Sequence, residues 1–357
     1  MTAIVAVTIT HASGAVASAP GPVAALGPRD KRVCTGAMAS LIGLHCSHEQ
    51  IPPSRLLAHA VEAEAAGFGA AMYSDHFSPW SERQGESGFA WSFLGAAMHA
   101  TRLPWGVVNA PGQRYHPAIV AQAAATLDEL FPGRLWVALG TGEASNEHIT
   151  GDPWPPKRVR TERLRECVDV MRALFAGEVV EHEGLVRVDR ARLWTLPKQP
   201  PALIGAAVSA ETARWCGGWA DGLATINQPR ERLERVIAAF REGGGEGKPV
   251  FLQVHLSWAP DEQQALDIAH DQWRTNLFQP PIPWDLHTVE AFDEAARFVR
   301  PEDMRSGVLV SADLEQHVAW LQELGELGFE AIYLHHVGQE LEPFIDAFGE
   351  HVLPALT

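Results

Sequence analysis

Residues 70–80, AAMYSDHFSPW, and residues 134–147, RLWVALGTGEASNE, decide the fold. Each begins with an apolar run of strand length and then turns polar, which predicts a buried strand followed by a loop. In parallel α/β folds, the loops at the carboxyl ends of the strands bind the ligand. The first loop supplies a histidine between a carboxylate and an indole. The second supplies a glycine turn with a carboxylate and an amide, so the two loops are predicted to line one site.

The same unit of strand and helix repeats along the chain from residue 40. Candidate strands lie at residues 41–46, 70–74, 103–109, 134–139, 202–207, 222–225, 250–257 and 331–335. Eight strands that alternate with eight helices predict a (β/α)₈ TIM barrel, with a doubly wound sheet as the alternative. Two insertions are expected: a hairpin at 178–196, after strand four and its helix, and a proline-rich helical segment at about 262–306, after strand seven.

The second insertion is expected to cover the mouth of the barrel. It carries Trp273, Phe278 and Trp284. Lid segments of this kind close over substrates and influence specificity. The apolar side chains favour a small substrate that is neutral or hydrophobic.

The composition limits the partners and the compartment. With 46% hydrophobic and 20% charged residues, the 357-residue chain can bury a full core. A net charge of −16 argues against nucleic acid or an anionic membrane as the main partner. The four cysteines are not spaced as CxxC, so we expect a reduced, cytoplasmic protein. No apolar run approaches the roughly 20 residues of a membrane-spanning helix.

Residues 1–37 differ from the rest of the chain because they are rich in small residues, proline and glycine. We expect a disordered N-terminal extension, or a start codon assigned too early with Met38 as the true first residue. A single barrel domain is then predicted for residues 38–357.

His76 is the candidate base. Asp75 precedes it directly, and Trp80 lies in the same loop. A neutral imidazole near its ordinary pKa is suited to remove a proton from an alcohol while hydride leaves the same carbon. The alternative is a hydrogen-bonded structural histidine.

Glu143 lies in a Gly-Thr-Gly-Glu turn after strand four. Gly140 and Gly142 let the backbone approach a flat ring closely, and a carboxyl group there can exchange a proton with a ring nitrogen. The turn is not a dinucleotide fingerprint, because Ser145 stands where GxGxxG has its third glycine. We interpret the two loops as the walls of a flavin-type redox site, with the ring between His76 and Glu143. Simple helix capping by Glu143 is the alternative.

Ser209 and Thr212 open a helix after strand five. Hydroxyl groups and free N–H groups at a helix N-terminus bind anions such as a cofactor phosphate. Ordinary N-capping by Ser209 explains the same pattern.

His45, Cys46 and His48 raise the question of a metal site. Alternation along strand one sends His45 and Cys46 to opposite faces, and no second ligand cluster accompanies them, so no metal is predicted. A metal-dependent barrel hydrolase that uses His45, His48 and a strand-end carboxylate is a more distant alternative. A flavin-binding protein without catalytic activity is another.

With these residues identified, the chain resembles the luciferase-like monooxygenase superfamily from about residue 40 to its C-terminus. It is most similar to the branch that contains F420-dependent glucose-6-phosphate dehydrogenase. The resemblance rests on residues 74–80, 114–117, 121–123 and 140–147. It implies an FMN- or F420-dependent oxidoreductase on a TIM barrel, and relatives of this kind are commonly homodimers.

The resemblance also implies roles for individual residues. His76 would be the base, Glu143 the acid toward the cofactor, and Trp80 a residue that shapes the reacting centre. The residues expected to hold the cofactor are Asp75, Val108, Asn109, Thr141, Asn146, Ala207, Val208, Ser209 and Thr212.

Departures from that branch concern the substrate. A Gly-Gly pair of its phosphate loop is replaced at residues 207–208, its substrate-phosphate lysine falls near residues 228–229, and a late arginine falls near Gly307. Without those cations a sugar-phosphate dianion is poorly held. Glucose 6-phosphate is therefore not the expected substrate.

The cofactor is left open between F420 and FMN. Residues 209–215, SAETARW, are similar to the phosphate loop of FMN-binding luciferases, which favours FMN slightly, although the luciferase arginine falls at Thr141. With FMN, a monooxygenase that uses O₂ becomes the alternative to hydride transfer.

Overall fold

The structure is a computed structural model that describes residues 40–356. The extension predicted for residues 1–37, and the alternative start at Met38, lie outside the described residues. The apolar runs form the strands, because a parallel strand covered by helices is buried on both faces. In β2, Ala70–Ser74, all five residues are buried.

Strands and helices alternate through the described range. The strands are β1 Leu41–Cys46, β2 Ala70–Ser74, β3 Trp105–Asn109, β4 Leu135–Leu139, β5 Val180–Glu183, β6 Arg187–Ala191, β7 Ala202–Ala206, β8 Gly222–Ile226, β9 Val250–Ser257, β10 Leu309–Val310 and β11 Ala331–His336. The α-helices are α1 Pro53–Ala66, α2 Ala90–Ala100, α3 Pro117–Leu130, α4 Ala144–Glu147, α5 Lys157–Phe175, α6 Ala210–Gly217, α7 Arg230–Phe240, α8 Glu262–Trp273, α9 Ile282–Asp285, α10 Val289–Ala295, α11 Leu314–Gly325, α12 Glu342–Ala347 and α13 Leu353–Leu356. Short 3₁₀ segments occupy His148–Thr150, Arg274–Asn276, Ala296–Phe298 and Pro301–Ser306, and π-helical segments occupy Arg241–Gly245 and Phe348–Val352.

The main sheet closes on itself. Its strands pair in the order β9-β11-β1-β2-β3-β4-β7-β8, and β8 also pairs with β9. All of these pairings are parallel. The predicted (β/α)₈ barrel is therefore confirmed, and the doubly wound sheet is wrong because that sheet would have two open edges.

Aromatic side chains fill the amino-terminal half of the barrel. Trp136 stacks on Phe251 with ring centroids 4.8 Å apart, and its indole N–H donates to the hydroxyl of Tyr333 at 3.2 Å. The space that can receive a ligand therefore lies at the carboxyl ends of the strands, as in other barrels of this class.

Both insertions lie where the sequence places them. β5 and β6 form an antiparallel hairpin within 178–196. The segment 262–306 is mostly helical and has a small hydrophobic core of its own, which includes Trp273, Phe292 and Met304 and also takes in Trp80 from the loop after β2. Within residues 40–356, no helix combines the length and the hydropathy needed to cross a membrane.

Candidate functional site

His76 lies just beyond β2, next to the end of β1. Its Nδ1 is 2.5 Å from Oε1 of Glu49, a carboxylate in the loop after β1. A carboxylate can only accept, so Nδ1 carries the hydrogen and Nε2 keeps its lone pair. Nε2 lies 3.6 Å from Oε2 of Glu143. The ring therefore presents a basic nitrogen next to a second carboxyl group.

Burial and neighbouring charges shift the pKa values of His76, Glu143 and Glu49 in opposite directions. Burial alone would lower the pKa of His76, but Glu143 and Glu49 raise it above its ordinary value. Burial raises the pKa of Glu143 against the opposing effect of His76. Burial would also raise the pKa of Glu49, but His48 and His76 hold it below its usual range. Glu49 is thus a permanent anion, whereas His76 and Glu143 are suited to exchange a proton.

His48 lies next to both His76 and Glu49. It is fully buried, it stacks on Tyr73 with ring centroids 4.4 Å apart, and its Nε2 accepts the backbone N–H of His76 at 3.3 Å. Its Nδ1 is 3.3 Å from Oε2 of Glu49. His48 therefore holds the backbone of His76 by a hydrogen bond, whereas its Nδ1 lies near Glu49 without a hydrogen-bond partner among the described residues.

His48, Glu49 and His76 also form a group whose possible metal-ligand atoms lie within 4.8 Å of one another. The hydrogen-bond pattern does not suit a metal. Nε2 of His48 accepts a hydrogen bond, so its Nδ1 carries the hydrogen in the neutral ring, and Nδ1 of His76 carries one as well. His45, which the hydrolase alternative requires, instead contacts His335 with ring centroids 4.5 Å apart. The group fits proton transfer better than metal-dependent hydrolysis.

Trp80 links His76 to the second insertion. Its ring meets that of His76 edge-on, with centroids 5.1 Å apart, and it meets Phe292 in the same way at 5.2 Å. The backbone N–H of Trp80 donates to Oε1 of Gln84 at 2.7 Å. Trp80 thus lies where the sequence-based interpretation needs it, beside the base.

Asn146 ties the two functional loops together. Its Oδ1 accepts the backbone N–H groups of Phe77 at 2.8 Å and Ser78 at 3.2 Å. Its Nδ2 donates to Oε2 of Glu143 at 2.9 Å. Each polar atom of this side chain therefore has a protein partner, and Asn146 connects the two loops. Its contact with a cofactor stays a prediction.

Asp75 and Asn109, both predicted to hold the cofactor, contact each other. Nδ2 of Asn109 donates to Oδ2 of Asp75 at 2.7 Å, and the hydroxyl of Tyr115 donates to Oδ1 at 3.1 Å. Burial raises the pKa of Asp75, against the effect of Arg114. Oδ1 of Asn109 is buried and has no hydrogen-bond partner within the described residues, so it is the atom of this pair that a ligand can still use.

Arg114 joins the two loops by charge. Its guanidinium donates to the backbone carbonyl of Asp75 at 2.6 Å and lies 3.5 Å from Oε1 of Glu147. The other oxygen of Glu147 accepts the backbone N–H of Arg114 at 2.6 Å. This buried bridge between the ends of β2, β3 and β4 is absent from the sequence-based set of site residues.

The turn after β4 is built around one glycine. Gly142 has φ +82°, and a Cβ there would lie 3.0 Å from Cγ of Glu147, so only glycine fits without strain. Thr141 is half-buried beside it. The glycine requirement inferred from the sequence thus has a backbone cause at Gly142.

The amino end of α6 carries the residues predicted for the cofactor phosphate. Oγ of Ser209 accepts the backbone N–H of Thr212 at 3.3 Å, which is ordinary N-capping. Nζ of Lys157 lies 3.5 Å from Oγ1 of Thr212. Ala207 and Val208 form the turn that leads into this helix. A hydroxyl and an ammonium at a helix N-terminus suit a phosphate group.

The slot expected between His76 and Glu143 is not present. Their side chains approach to 3.6 Å, whereas a ring stacked between them would need a gap of about 7 Å, twice a carbon contact distance. The two groups lie side by side. This corrects the sequence-based picture: a ring that contacts both lies against them, not between them.

The neighbouring wall suits a flat ring. Val108, Ala138 and Ala206 belong to the cluster on the inner face of the barrel. A Cβ added at Gly140 would meet only the Cβ of Ala206, at 3.8 Å. Small side chains leave room for an aromatic ring at the ends of β3, β4 and β7, so the residues present fit a flavin or a deazaflavin.

The arginines closest in sequence to the missing phosphate ligands are engaged elsewhere. Arg305 donates to Oε1 of Glu262 at 2.6 Å, and Arg230 contacts Glu234 at 3.1 Å and Glu326 at 3.0 Å. Both guanidinium groups therefore have carboxylate partners at the protein surface.

Glu49 is the residue of most consequence that sequence reasoning missed. The signal was available in part, because a carboxylate in the loop that follows a barrel strand is a candidate site residue. Its pairing with His76 depends on two loops that are 27 residues apart in the chain, and a motif search along one loop does not reveal such a contact.

Comparison with known proteins agrees with this geometry. The family model described as luciferase-like monooxygenase matches residues 23–331. The F420-dependent glucose-6-phosphate dehydrogenase of Intrasporangium calvum is 33% identical over 329 residues, which cover 88% of this chain and 98% of that protein. The protein of the same name from Mycobacterium avium is 31% identical over 339 residues, with 89% and 99% covered.

Solved structures extend the comparison. An F420-dependent secondary alcohol dehydrogenase in complex with an F420-acetone adduct is similar with a TM-score of 0.82 and 29% identity, over 89% of this chain and 99% of that one. The F420-dependent tetrahydromethanopterin reductase from Methanopyrus kandleri, at a TM-score of 0.70 and 21% identity over 89% and 99% of the two chains, shares the fold. Taken with the closed barrel and the family match, these likenesses establish that the chain belongs to the luciferase-like monooxygenase family and is an oxidoreductase.

Proposed function

We propose that the protein uses F420 to oxidise the carbinol carbon of a small uncharged secondary alcohol, or to reduce the corresponding ketone. The observation that carries the proposal is the Glu49–His76 pair, which leaves Nε2 of His76 as a base beside Glu143. The relatives at 33% identity and the secondary alcohol dehydrogenase are all named as F420-dependent. Those names support F420 over the FMN favoured by the loop at residues 209–215.

The described residues supply the proton chemistry of such a reaction. When bound, F420 provides a two-electron acceptor for hydride. Nε2 of His76 accepts the hydroxyl proton as hydride leaves the same carbon, and the charge of Glu49 stabilises the imidazolium that forms. Glu143 lies 3.6 Å from that nitrogen. It is placed to take the proton from His76 and to donate it toward a ring nitrogen of the cofactor.

Exclusion of water is the second contribution of the chain. Trp80 covers one edge of His76 and is itself packed against Phe292 of the insertion. Charge interactions among His76, Glu143 and Glu49 are stronger away from water. The insertion therefore supports the base through Trp80.

The substrate in this proposal carries no phosphate. The relatives at 33% identity are named for glucose 6-phosphate. However, the guanidinium groups of Arg230 and Arg305 form ion pairs with carboxylates in this chain. Those exposed pairs are weak, but a phosphate dianion needs a cation beside it, and residues 228–229 and 307 supply none. A neutral alcohol needs no such cation.

An FMN-dependent monooxygenase is the second candidate function. The observation that favours it is the amino end of α6, where Ser209, Thr212 and Lys157 meet. That arrangement suits the phosphate of FMN as well as the phosphate of F420. FMN is therefore the second candidate cofactor, after F420.

Separate titrations of the protein with F420 and with FMN test the proposal. Fluorescence of each cofactor reports binding, and anaerobic addition of propan-2-ol, butan-2-ol or glucose 6-phosphate then reports reduction. We expect tight F420 binding and reduction by a secondary alcohol. His76→Ala should bind F420 but not reduce it, while the exposed control His351→Ala should behave as the unmodified protein. Exclusive binding of FMN, or reduction by glucose 6-phosphate alone, would overturn the proposal.

A further inference from the structure

Three histidines form a second polar group in the mouth of the barrel. His45, His335 and His255 lie on the neighbouring strands β1, β11 and β9, and the strand register brings them to one level. The ring centroids of His45 and His335 are 4.5 Å apart, and those of His335 and His255 are 5.3 Å apart. We call these three residues the histidine arc.

The histidine arc lies across the barrel from the predicted cofactor residues. The strand order runs β9-β11-β1-β2-β3-β4-β7-β8 around the barrel. The arc occupies β9, β11 and β1, whereas the residues predicted for the cofactor lie at or just beyond the ends of β3, β4 and β7, apart from Asp75 after β2. His76 follows β2, between the two groups. The mouth is thus divided into a cofactor side and an opposite side, and the base borders both.

Hydrogen bonds fix the tautomers of two rings in the arc. Nε2 of Gln253 lies 3.2 Å from Nε2 of His255 and 3.3 Å from Nδ1 of His335. An amide nitrogen only donates, so both imidazole nitrogens accept. The hydrogen of His335 is then on Nε2, which donates to Oε1 of Gln50 at 3.1 Å. The hydrogen of His255 is on Nδ1.

Two nitrogens of the arc are left for a ligand. Nδ1 of His255 carries a hydrogen and has no partner among residues 40–356. Nδ1 of His45 is buried without a hydrogen-bond partner in the same part of the chain, and His45 is only 2% exposed. A buried polar atom without a partner is costly, so an oxygen that reaches either nitrogen would be held firmly.

All three rings of the arc are neutral at physiological pH. Burial lowers the pKa of His45 to about 3 and that of His255 to about 4. Burial also lowers the pKa of His335 well below its ordinary value. Neutral N–H groups and lone pairs bind hydroxyl or carbonyl oxygens, but they do not compensate a phosphate dianion.

Trp273, the last residue of α8, covers the arc. Its ring centroid lies 4.6 Å from that of His335 and 5.0 Å from that of His255. An indole over two imidazoles provides an apolar surface for carbon next to the polar nitrogens. This combination suits a carbon chain that carries more than one oxygen.

We propose that the histidine arc binds a second, uncharged oxygen of the substrate, carried on a carbon other than the reacting one. The preferred substrate is then a neutral vicinal diol or unphosphorylated polyol, not a simple alcohol or a sugar phosphate. This inference rests on the proposed function and specifies its substrate class.

Paired substrates of equal carbon skeleton test the inference. For the F420-loaded protein we expect kcat/KM for butane-2,3-diol to exceed that for butan-2-ol by about tenfold or more, as for a buried polar group that gains a partner. His255→Phe should reduce this ratio to about one. His255→Asn, which keeps a donor near the position of Nδ1, should restore part of the ratio. The exposed control His351→Phe should keep the full ratio.

The possible outcomes test the inference and the proposed function separately. A ratio near one in the unmodified protein, or a ratio that His255→Phe leaves intact, overturns the inference but not the proposed function. Oxidation of neither alcohol counts against the proposed function. In that case, calorimetry with the two alcohols and the protein still tests the arc, since the diol should bind more tightly and His255→Phe should abolish the difference. Equal binding overturns the inference.

Discussion

The chemistry at His76 depends on one buried carboxylate. Glu49 is 2% exposed, and it assigns the hydrogen of His76 to Nδ1 by accepting it at 2.5 Å. A histidine alone in this loop would have two tautomers and an ordinary pKa. With Glu49 behind it and Glu143 beside it, the ring has a defined basic nitrogen and a raised pKa.

Replacement of Glu49 by glutamine tests this role. Because a negative charge raises the pKa of an imidazole, Glu49→Gln should lower the pKa of His76 from its present position above 6.5. The base is active when it is neutral, so the acidic limb of the kcat/KM profile should move to lower pH. We expect kcat to fall by about 100-fold, as for partial loss of general-base catalysis. Glu178→Gln, an exposed control, should change neither quantity, and a limb that stays in place or moves to higher pH in Glu49→Gln would contradict the role.

Contacts within the candidate site were predictable from the sequence where one loop contains both residues. His76 and Trp80 belong to one motif and lie in contact. Glu143 and Asn146 belong to another and share a hydrogen bond. Glu49 and Arg114 were not predicted as site residues because their contacts cross between strand ends. The distance of 3.6 Å that removes the slot between His76 and Glu143 is likewise a product of packing.

Among the elements, the insertion 262–306 reaches the site through Trp80. Its core includes Phe292, which is fully buried and contacts Trp80 at 5.2 Å. Trp80 in turn contacts His76. Packing inside the insertion is therefore connected to the base through one aromatic side chain.

Truncation of Phe292 tests this connection. Phe292→Ala removes a buried aromatic ring, which costs about 3 to 5 kcal/mol where it is fully packed. We expect faster hydrogen–deuterium exchange across 262–306 and a higher KM, while exchange in the barrel strands stays slow. Phe298→Ala is the matched control, since Phe298 is 78% exposed in the same segment. Equal exchange in both variants would show that the insertion is not held through Phe292.

The barrel strands were predictable because each is a short apolar run. β1, β2 and β9 begin and end at the residues that the sequence indicates. The C-terminal helical region divides into α12, the π-helical segment Phe348–Val352 and α13. A Cβ at Gly349 would come within 2.8 Å of the Cβ of Ala66, so this segment packs closely on α1. Apolar spacing does not report such an approach, nor the two-residue strand β10.

At the scale of the whole molecule, buried neutral histidines make stability depend on pH. Six imidazoles in the described range have a lowered pKa because they are buried: His45, His48, His255, His317, His335 and His336. Unfolding returns each to its ordinary value of 6.5, so the unfolded chain binds more protons below that pH. His76, with a raised pKa, acts in the opposite direction, as do the buried carboxyls Asp75, Glu143 and Glu147.

The protein should therefore lose stability as the pH falls below 6.5. Each of the six imidazoles contributes up to about 1.4 kcal/mol per pH unit in that range, and their number outweighs the opposing groups. Thermal melts between about pH 7.5 and about pH 5.5 should show a falling Tm. A Tm that is constant or that rises on acidification would mean that these rings are not buried in the neutral form. The expectation of a homodimer stays a prediction, which light scattering on the same samples checks.

Transfer of deuterium from the substrate decides most directly whether His76 serves a hydride-transfer site. The F420-loaded protein, given propan-2-ol deuterated at the carbinol carbon, should place deuterium in the reduced cofactor with a primary isotope effect. His76→Ala should retain F420 binding and lose the transfer. Reduced cofactor without deuterium, or transfer at an unchanged rate in His76→Ala, would contradict the assignment of His76 as the base.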